Sequence, residues 1–203
     1  MISDAFRFIV PLLLIAVLLF AFGGPWAAAL PALLAAFVAY FFRNPERSIP
    51  RGDDLVVSPA DGKIVRISTD GQGNDGQLHL SIFLNIFDVH VNRAPIGGKL
   101  EKLEYLRGRF KAAFDDDASR VNEQNVLTVH GAGATLVMKQ IAGLIARRVV
   151  CWKKAGQELQ RGEVIGLIRF GSRVDLILPG NAELRVRVGE RVKGGSSVIA
   201  ELR

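Results

Sequence analysis

The chain is poor in cysteine: Cys151 is the only one in 203 residues, so an internal disulfide is excluded. This usage is typical of proteins that fold in a reducing compartment, because small secreted domains usually depend on disulfides. Basic residues are not interleaved with aromatic ones, which is the pattern that single-strand nucleic-acid binders use. The net charge of +6 therefore favours an anionic partner other than nucleic acid, and a lipid surface is the first candidate.

The N-terminal part of the chain lacks charge. No acidic or basic residue occurs from Phe8 to Phe42, a run about twice as long as one membrane span requires. The tripeptide Gly23-Gly24-Pro25 near its middle is a turn signal. We therefore predict two short apolar helices, 8–22 and 26–42, joined at this turn. The sequence leaves open whether they cross the bilayer as a tight hairpin or enter it without crossing.

Three arginines, Arg43, Arg47 and Arg51, follow the second predicted helix closely. An excess of Lys and Arg next to a membrane helix marks its cytoplasmic side. We therefore predict a membrane-anchoring helical hairpin at 1–43. The remaining residues, 44–203, are predicted to form a soluble domain on the cytoplasmic side of the cell membrane.

After Pro50 the chain reads as short apolar strands separated by Gly-rich and Pro-rich turns. Only a weak helix signal occurs, at 118–123. Two similar turn-and-strand stretches, 162–166 and 189–194, are typical of a barrel-sandwich module, although neither carries the lysine of a carrier domain. We predict a mostly β, barrel-sandwich-like domain behind the N-terminal apolar helical anchor. The predicted strands are 55–57, 63–67, 78–86, 126–130, 135–141, 147–152, 164–169, 173–178 and 184–188.

The dipeptide Gly171-Ser172 stands between two predicted strands. Gly-Ser pairs are common in turns, so the pair alone indicates only a turn. A serine hydroxyl beside a glycine carbonyl in a strained turn can, however, attack that carbonyl, and elimination of the resulting ester converts the serine into a pyruvoyl group. Glycine suits this chemistry because it lacks a Cβ and permits unusual backbone geometry. A second pair, Gly195-Ser196, is predicted to be a plain turn, since a cut there would leave only a short stub.

The residues around this pair carry a resemblance to a known family. Taken in order, the motifs resemble the phosphatidylserine decarboxylase family in its short form, from about Phe42 to Arg203. These motifs are Arg43-Asn44-Pro45-Glu46-Arg47, Ser58-Pro59-Ala60-Asp61-Gly62-Lys63-Ile64, Phe87-Asp88-Val89-His90-Val91-Asn92-Arg93-Ala94-Pro95, Arg161-Gly162-Glu163 and Phe170-Gly171-Ser172-Arg173-Val174-Asp175.

The resemblance implies a zymogen that cuts itself between Gly171 and Ser172 into 1–171 and 172–203, which stay associated. It implies that Ser172 becomes a covalent pyruvoyl cofactor, which forms a Schiff base with phosphatidylserine and releases phosphatidylethanolamine. No metal is implied, and the protein is expected to be a homodimer.

The resemblance also implies roles for two further residues. Asp61 is expected to orient and charge a base, and His90 is expected to serve decarboxylation. Longer relatives carry a second histidine three positions after the equivalent of His90, where this chain has Arg93. The identity of the base that activates Ser172 therefore stays open: either His90 does both jobs or Asp61 acts more directly.

Two other functions remain as alternatives. A membrane-anchored barrel-sandwich adaptor without enzymatic activity would suit the anchor and the β content, but it would leave the chain uncut. A related pyruvoyl enzyme acting on a soluble amino acid would have no need of the apolar N-terminus. The sequence does not distinguish a diacyl from an ether-linked lipid substrate.

Overall fold

The computed structural model describes residues 1–70, 76–113, 115, 117–144, 148–169 and 171–203. The chain divides into two compact units, Met1–Glu46 and Arg47–Arg203. Phe170 and Arg147, which belong to predicted motifs or strands, lie outside the described residues.

The first unit consists of a short 3-10 turn at Ser3–Ala5 and the helix α1 at Phe6–Phe41. The helix spanning Ser3–Phe41 contains an 18-residue stretch with a mean hydropathy of 2.6, and it is the only helix in the described ranges that is long and apolar enough to cross a membrane. Gly24 inside α1 is not helical, with φ 77° and ψ −176°. A positive φ of this size is accessible mainly to glycine.

The two ends of α1 lie together. The backbone N–H of Ile2 donates to the carbonyl oxygen of Phe42 at 3.0 Å. The rings of Phe8 and Phe42 stack with centroids 5.9 Å apart. A straight helix of this length would extend about 54 Å, so α1 reverses direction at Gly24 and its halves run antiparallel.

The second unit is mostly β, and the predicted fold class is confirmed. Its elements are β1 Leu55–Val57, β2 Gly62–Asp70, β3 Gln77–Leu84, β4 Val91–Arg93, β5 Gly98–Leu106, α2 Ala118–Val121, β6 Gln124–Gly131, β7 Ala134–Ala142, β8 Val149–Cys151, β9 Glu158–Leu159, β10 Val164–Ile168, β11 Ser172–Pro179, β12 Glu183–Leu184, β13 Arg191–Val192 and β14 Val198–Glu201.

A curled eight-stranded sheet, in the order β13-β2-β3-β11-β7-β6-β5-β9, forms the body of this unit. Two three-stranded sheets, β4-β10-β8 and β1-β14-β12, accompany it. Alternate residues of each strand point to opposite faces. In β11, Val174, Leu176 and Leu178 lie in the apolar core, whereas Arg173 and Asp175 face the other side.

Strand β5 was not predicted, because its leucines recur every third residue instead of alternating. The register between β5 and β6 shifts between Leu100 and Lys102, which indicates a β-bulge. One extra residue at a bulge lets Leu100 and Leu103 face the same side of the sheet. Both contact the core.

The strand expected at 184–188 is shorter, since β12 ends at Leu184.

Candidate active site

Ser172 is the first residue of β11, in the middle of the large sheet. It pairs with Leu84 of β3 on one side and with Ala142 of β7 on the other. The residue is fully buried, and its Oγ has no hydrogen-bond partner among the described residues. A buried hydroxyl without a partner costs about 1–3 kcal/mol, and such exceptions are often found at reactive positions.

Gly171 has a φ of 62°, in the left-handed region. A Cβ at this position would meet no atom within 4 Å, so the backbone conformation, and not lack of space, favours glycine here. The structure therefore places a left-handed glycine directly before a buried, unbonded serine hydroxyl. This is the backbone arrangement that the sequence associates with attack on the Gly171 carbonyl.

His90 lies just before β4 and is almost completely buried. The backbone N–H of Ile168 in β10 donates to its carbonyl oxygen at 3.2 Å. The Nδ1 atom of His90 lies 3.0 Å from the carbonyl oxygen of Asp88. A carbonyl oxygen only accepts hydrogen bonds, so Nδ1 carries the hydrogen, and in the neutral ring Nε2 is the nitrogen that can take up a proton.

The turn before His90 is held by the carboxylate of Asp88. That carboxylate accepts the backbone N–H of Asn85 at 2.8 Å and also pairs with Arg191 of β13. The carbonyl that orients the imidazole therefore belongs to a residue whose side chain is fixed on both sides.

A buried hydrogen bond connects the β4-β10-β8 sheet to the eight-stranded sheet near His90 and Ser172. The Nε2 of Gln140 in β7 donates to Oδ1 of Asn92 in β4 at 2.8 Å. Ser172 is opposite Ala142, two residues along β7 from Gln140, and His90 is two residues before Asn92. Residues two apart in a strand share a face, so Ala142, Gln140 and Ser172 lie on one face of the large sheet, while the backbone of His90 is bonded to Ile168, four residues before Ser172.

The carboxylate of Asp61 lies directly before β2 and has other partners. It accepts two hydrogen bonds from Nη2 of Arg47, at 2.9 and 2.8 Å, and one from the backbone N–H of Gly194 at 2.8 Å. Both side chains of the ion pair are largely buried. Asp61 therefore ties the start of the second unit to the turn at 193–197.

Arg93 belongs to the same charged group. Its Nη1 donates to the carbonyl oxygen of Gly162 at 2.9 Å. Partial burial and the neighbouring charge of Arg47 lower the pKa of Arg93, while Asp61 opposes this effect. A guanidinium remains protonated in proteins, so Arg93 cannot replace a histidine as a base.

The second Gly-Ser pair lies in a tight turn beside this group. The backbone N–H of Gly195 donates to the carbonyl oxygen of Ser58 at 2.8 Å. The backbone N–H of Ser196 donates to the carbonyl oxygen of Lys193 at 3.1 Å. A Cβ at Gly195 would lie 2.9 Å from Cδ of Arg93. The turn conformation and close packing account for this glycine.

Three buried amide side chains form a chain of hydrogen bonds that was not predicted from the sequence, although Asn92 lies within a motif that carries the resemblance. The Nδ2 of Asn125 in β6 donates to Oε1 of Gln140 at 3.0 Å, and Gln140 in turn donates to Asn92. All three side chains are buried. The available signal was the placement of amide residues at core-facing positions of otherwise apolar strands.

A cavity of about 510 Å³ opens beside these amides. Glu123 is one of its lining residues. Its backbone carbonyl oxygen accepts the N–H of Ala142, which is the residue opposite Ser172 in the ladder. Partial desolvation, followed by the hydrogen bond with Glu123, raises the pKa of the half-exposed Tyr105. Burial raises the pKa of the Cys151 thiol. Arg148 contributes an exposed positive charge to the rim.

A cavity of similar size, about 520 Å³, lies on the opposite face of the large sheet. It is lined by the buried pair Arg173 and Asp175, whose Nε and Oδ1 atoms are 2.6 Å apart. The Nη2 of Arg173 donates to Oγ of Ser81, and Oγ of Ser119 donates to Oδ2 of Asp175, at 2.7 Å each. This cavity contains none of the predicted site residues. In the described ranges, no group of three His, Cys, Asp or Glu residues could hold a metal.

Comparison with known proteins gives a consistent result. A family model described as phosphatidylserine decarboxylase matches residues 34–200. The chain is 51% identical over 177 residues to the phosphatidylserine decarboxylase proenzyme of Solibacter usitatus (strain Ellin6076), covering 87% of this chain and 84% of that relative. It is 47% identical over 176 residues to the proenzyme of Syntrophus aciditrophicus (strain SB), covering 85% and 83%.

A third relative extends the similarity through the apolar N-terminus. The phosphatidylserine decarboxylase proenzyme of Burkholderia pseudomallei (strain 1106a) is 44% identical over 202 residues. The match covers 98% of this chain and 94% of that relative.

Proposed function

Because this chain belongs to the phosphatidylserine decarboxylase family, we propose that it converts phosphatidylserine to phosphatidylethanolamine after cutting itself between Gly171 and Ser172. The observation that carries the proposal is the buried Ser172 hydroxyl directly after a left-handed glycine. The relatives are named proenzymes, and this supports synthesis as an inactive precursor.

The self-cleavage uses atoms of the chain and one water. The Oγ of Ser172 adds to the Gly171 carbonyl carbon, the C–N bond breaks, and the hydroxyl proton moves to the nitrogen, which gives an ester and an amine. Removal of the Ser172 α-proton then breaks the Cβ–Oγ bond and releases Gly171 as a carboxylate. The 2-aminoacrylate left at 172 takes its imine form, and water hydrolyses it to a pyruvoyl group and ammonia.

The surroundings of residue 172 suit such a group. Its neighbours across the ladder, Leu84 and Ala142, are apolar and buried, and its Oγ is not engaged by another described residue. A pyruvoyl group there supplies an electrophilic carbonyl, which is the chemistry that loss of carbon dioxide from an α-amino acid requires.

We assign the proton transfers to His90. The hydrogen bond from Nδ1 to Asp88 leaves Nε2 as the basic atom, and Arg93 cannot take up a proton. Nε2 accepts the Ser172 proton during self-cleavage and returns a proton to the substrate α-carbon after carbon dioxide has left. Asp61 is proposed as a positioning residue that acts through Arg47 and the 193–197 turn, since its carboxylate is bonded there.

The sheet topology supports continued association of the two fragments. Residues 172–203 contribute β11, whose ladders to β3 and β7 lie inside the large sheet. They also contribute β14, which pairs with β1. A cut before Ser172 leaves these ladders intact. The homodimer expected from the resemblance stays a prediction.

The apolar N-terminal unit is proposed to keep the enzyme at the bilayer that contains its lipid substrate. Its length and hydropathy suit a membrane helix. Arg43, Arg47 and Arg51 favour a cytoplasmic location of the catalytic unit. Membership of a decarboxylase family disfavours the adaptor alternative, which predicts no activity. Diacyl and ether-linked lipids share the reacting head group, so both remain candidate substrates.

The test compares Ser172→Ala with Ser196→Ala, the serine of the second Gly-Ser pair. Each full-length protein is purified in detergent and incubated with vesicles containing phosphatidylserine labelled at the carboxyl carbon. We expect Ser172→Ala to release no labelled carbon dioxide and Ser196→Ala to match the parent. Activity of Ser172→Ala at the parent rate would refute the proposal.

A further inference from the structure

We propose that Gly143 is a positioning residue for self-cleavage. Because glycine has no Cβ, the space beside its α-carbon is free for the Gly171 carbonyl oxygen. The reacting carbonyl therefore keeps the position in which Ser172 attacks it. The inference rests on the proposed function, because it concerns the bond that Ser172 attacks.

The geometry shows why a side chain is excluded. An ideal Cβ at Gly143 would lie 2.1 Å from the Gly171 carbonyl oxygen and 3.1 Å from its carbon. Non-bonded heavy atoms are most stable at about 3.5–4.0 Å. Any larger residue at 143 would therefore force the carbonyl or the backbone of residue 143 to move by more than about 1 Å.

The backbone next to Gly143 is fixed from the opposite side. The N–H of Ala142 donates to the carbonyl oxygen of Glu123 at 2.9 Å. The carbonyl oxygen of Ala142 accepts Nδ2 of Asn122 at 2.8 Å. Because Ala142 is held towards β6, Gly143 has little freedom to retreat from Gly171, and the displacement falls on the carbonyl.

The contact also lies at the end of the ladder that carries the nucleophile. Ala142 and Ser172 form the last pair between β7 and β11, and Gly143 and Gly171 are the next residue on each side. The Gly143 α-carbon thus faces the carbonyl that Oγ must approach. Misplacing reacting groups by 1 Å can lower a rate by about 100-fold.

Gly131 provides a matched control. A Cβ there would lie 2.0 Å from the carbonyl oxygen of Gly97, the same kind of clash in the same sheet. Gly131 lies at the opposite end of β6, away from Ser172. Neither Gly131 nor Gly143 has a positive φ, so alanine introduces crowding and not left-handed strain in both cases.

The experiment follows the conversion of full-length precursor into fragments on denaturing gels, for the parent, Gly143→Ala and Gly131→Ala. Thermal unfolding of both glycine variants is measured in a Ser172→Ala background, where no cut occurs. We expect Gly143→Ala to process about 100-fold more slowly than the parent. Gly131→Ala should process near the parent rate although its unfolding midpoint falls similarly.

A double variant separates the carbonyl contact from ordinary packing. The same Cβ at 143 would also lie 3.2 Å from Cβ of Ala113. Ala113→Gly combined with Gly143→Ala removes that second contact and leaves the clash with Gly171. We expect the double variant to remain slow, and recovery to the parent rate would overturn the inference.

The remaining outcomes are also decisive. Processing of Gly143→Ala at the parent rate would overturn the positioning role while the proposed function stands. The same holds if Gly143→Ala fails to fold in the Ser172→Ala background whereas Gly131→Ala folds there. A parent chain that never forms fragments would overturn the proposed function and, with it, this inference.

Discussion

Ser172 shows how local stability and reactivity oppose each other at a single residue. Its hydroxyl is buried without a described partner, and the preceding glycine has a left-handed conformation. The unbonded buried hydroxyl is unfavourable to folding, whereas glycine adopts the left-handed conformation without strain. The ladders to β3 and β7 hold the hydroxyl in this environment, and processing would remove it by breaking the Gly171–Ser172 bond and converting Ser172.

His90 is predicted to act through Nε2. Asn is a suitable replacement because its amide nitrogen can keep the hydrogen bond to the Asp88 carbonyl while the base is lost. We expect His90→Asn to slow precursor processing about 10²–10⁴-fold, the usual contribution of a general base. Gel analysis of precursor and fragments over time measures this rate.

His79→Asn is the control for that variant. His79 lies on the other face of the large sheet, where Nε2 is 3.1 Å from Asp70, so its processing rate should equal that of the parent. If His90→Asn also processes at the parent rate, the base is a different group.

Asp61 is predicted to act by position. Hydrogen bonds to charged groups contribute about 1.5–3 kcal/mol, so Asp61→Asn and Arg47→Gln should each lower the thermal midpoint by several degrees. Because both changes break the same ion pair, they should slow processing to a similar extent. A block of processing in Asp61→Asn alone, at equal stability, would instead indicate direct action on the base.

The candidate site could be predicted from sequence only where chemistry is local. Gly171-Ser172 is recognisable because nucleophile and carbonyl are adjacent in the chain. The contact of Gly143 with Gly171 was not predicted, since it joins residues that approach only through strand pairing. The partners of Asp61 were missed for the same reason: Arg47 and Gly194 are distant from it in sequence.

At the scale of elements, glycines and bulges determine where simple patterns fail. Gly24 reverses α1, and the Gly-Gly-Pro turn signal was readable because it interrupts an otherwise uniform apolar run. Strand β5 was not readable, because its bulge changes the spacing of Leu100 and Leu103. Strands of two residues, such as β9 and β13, contain too few positions for alternation to be detected.

The reversal of α1 predicts a new cross-link. With Cys151 replaced by Ser, the double variant Ile2→Cys/Phe42→Cys should form an intramolecular disulfide under mild oxidation. The backbone atoms of residues 2 and 42 are hydrogen-bonded at 3.0 Å, which brings the α-carbons within the range that disulfides bridge. A mobility shift on non-reducing gels reports the bond.

The variant Ile2→Cys/Phe22→Cys serves as the control. Residue 22 lies next to the reversal at Gly24, at the far end of the first half of α1. Half a helix of this length separates them by about 30 Å, so they should not cross-link within one chain. Efficient cross-linking of this control pair, or none between 2 and 42, would contradict the hairpin geometry.

At the scale of the whole molecule, the position of β11 links self-cleavage to the stability of the large sheet. This strand lies inside the eight-stranded sheet and follows the cleavage position immediately. Hydrogen-bonded ladders on both sides are expected to keep the smaller fragment in place. The overall β architecture was predictable from turn spacing, whereas the strand order depends on long-range pairing that local patterns do not encode.

The arginines after α1 predict the side of the membrane. In a Cys151→Ser background, Glu101→Cys places a thiol at an exposed position of β5. A membrane-impermeant thiol reagent should leave it unlabelled in intact cells and label it after permeabilisation. Labelling in intact cells would place the domain outside the cytoplasm.

The most direct measurement is the mass of the purified, denatured protein together with its sensitivity to hydroxylamine. We predict two polypeptides, 1–171 and 172–203, with the mass of the smaller one lowered by the change of its first residue from serine to pyruvoyl. Hydroxylamine, which attacks that carbonyl, should abolish turnover. An active protein that gives a single mass for an uncut chain with serine at 172 would contradict the account.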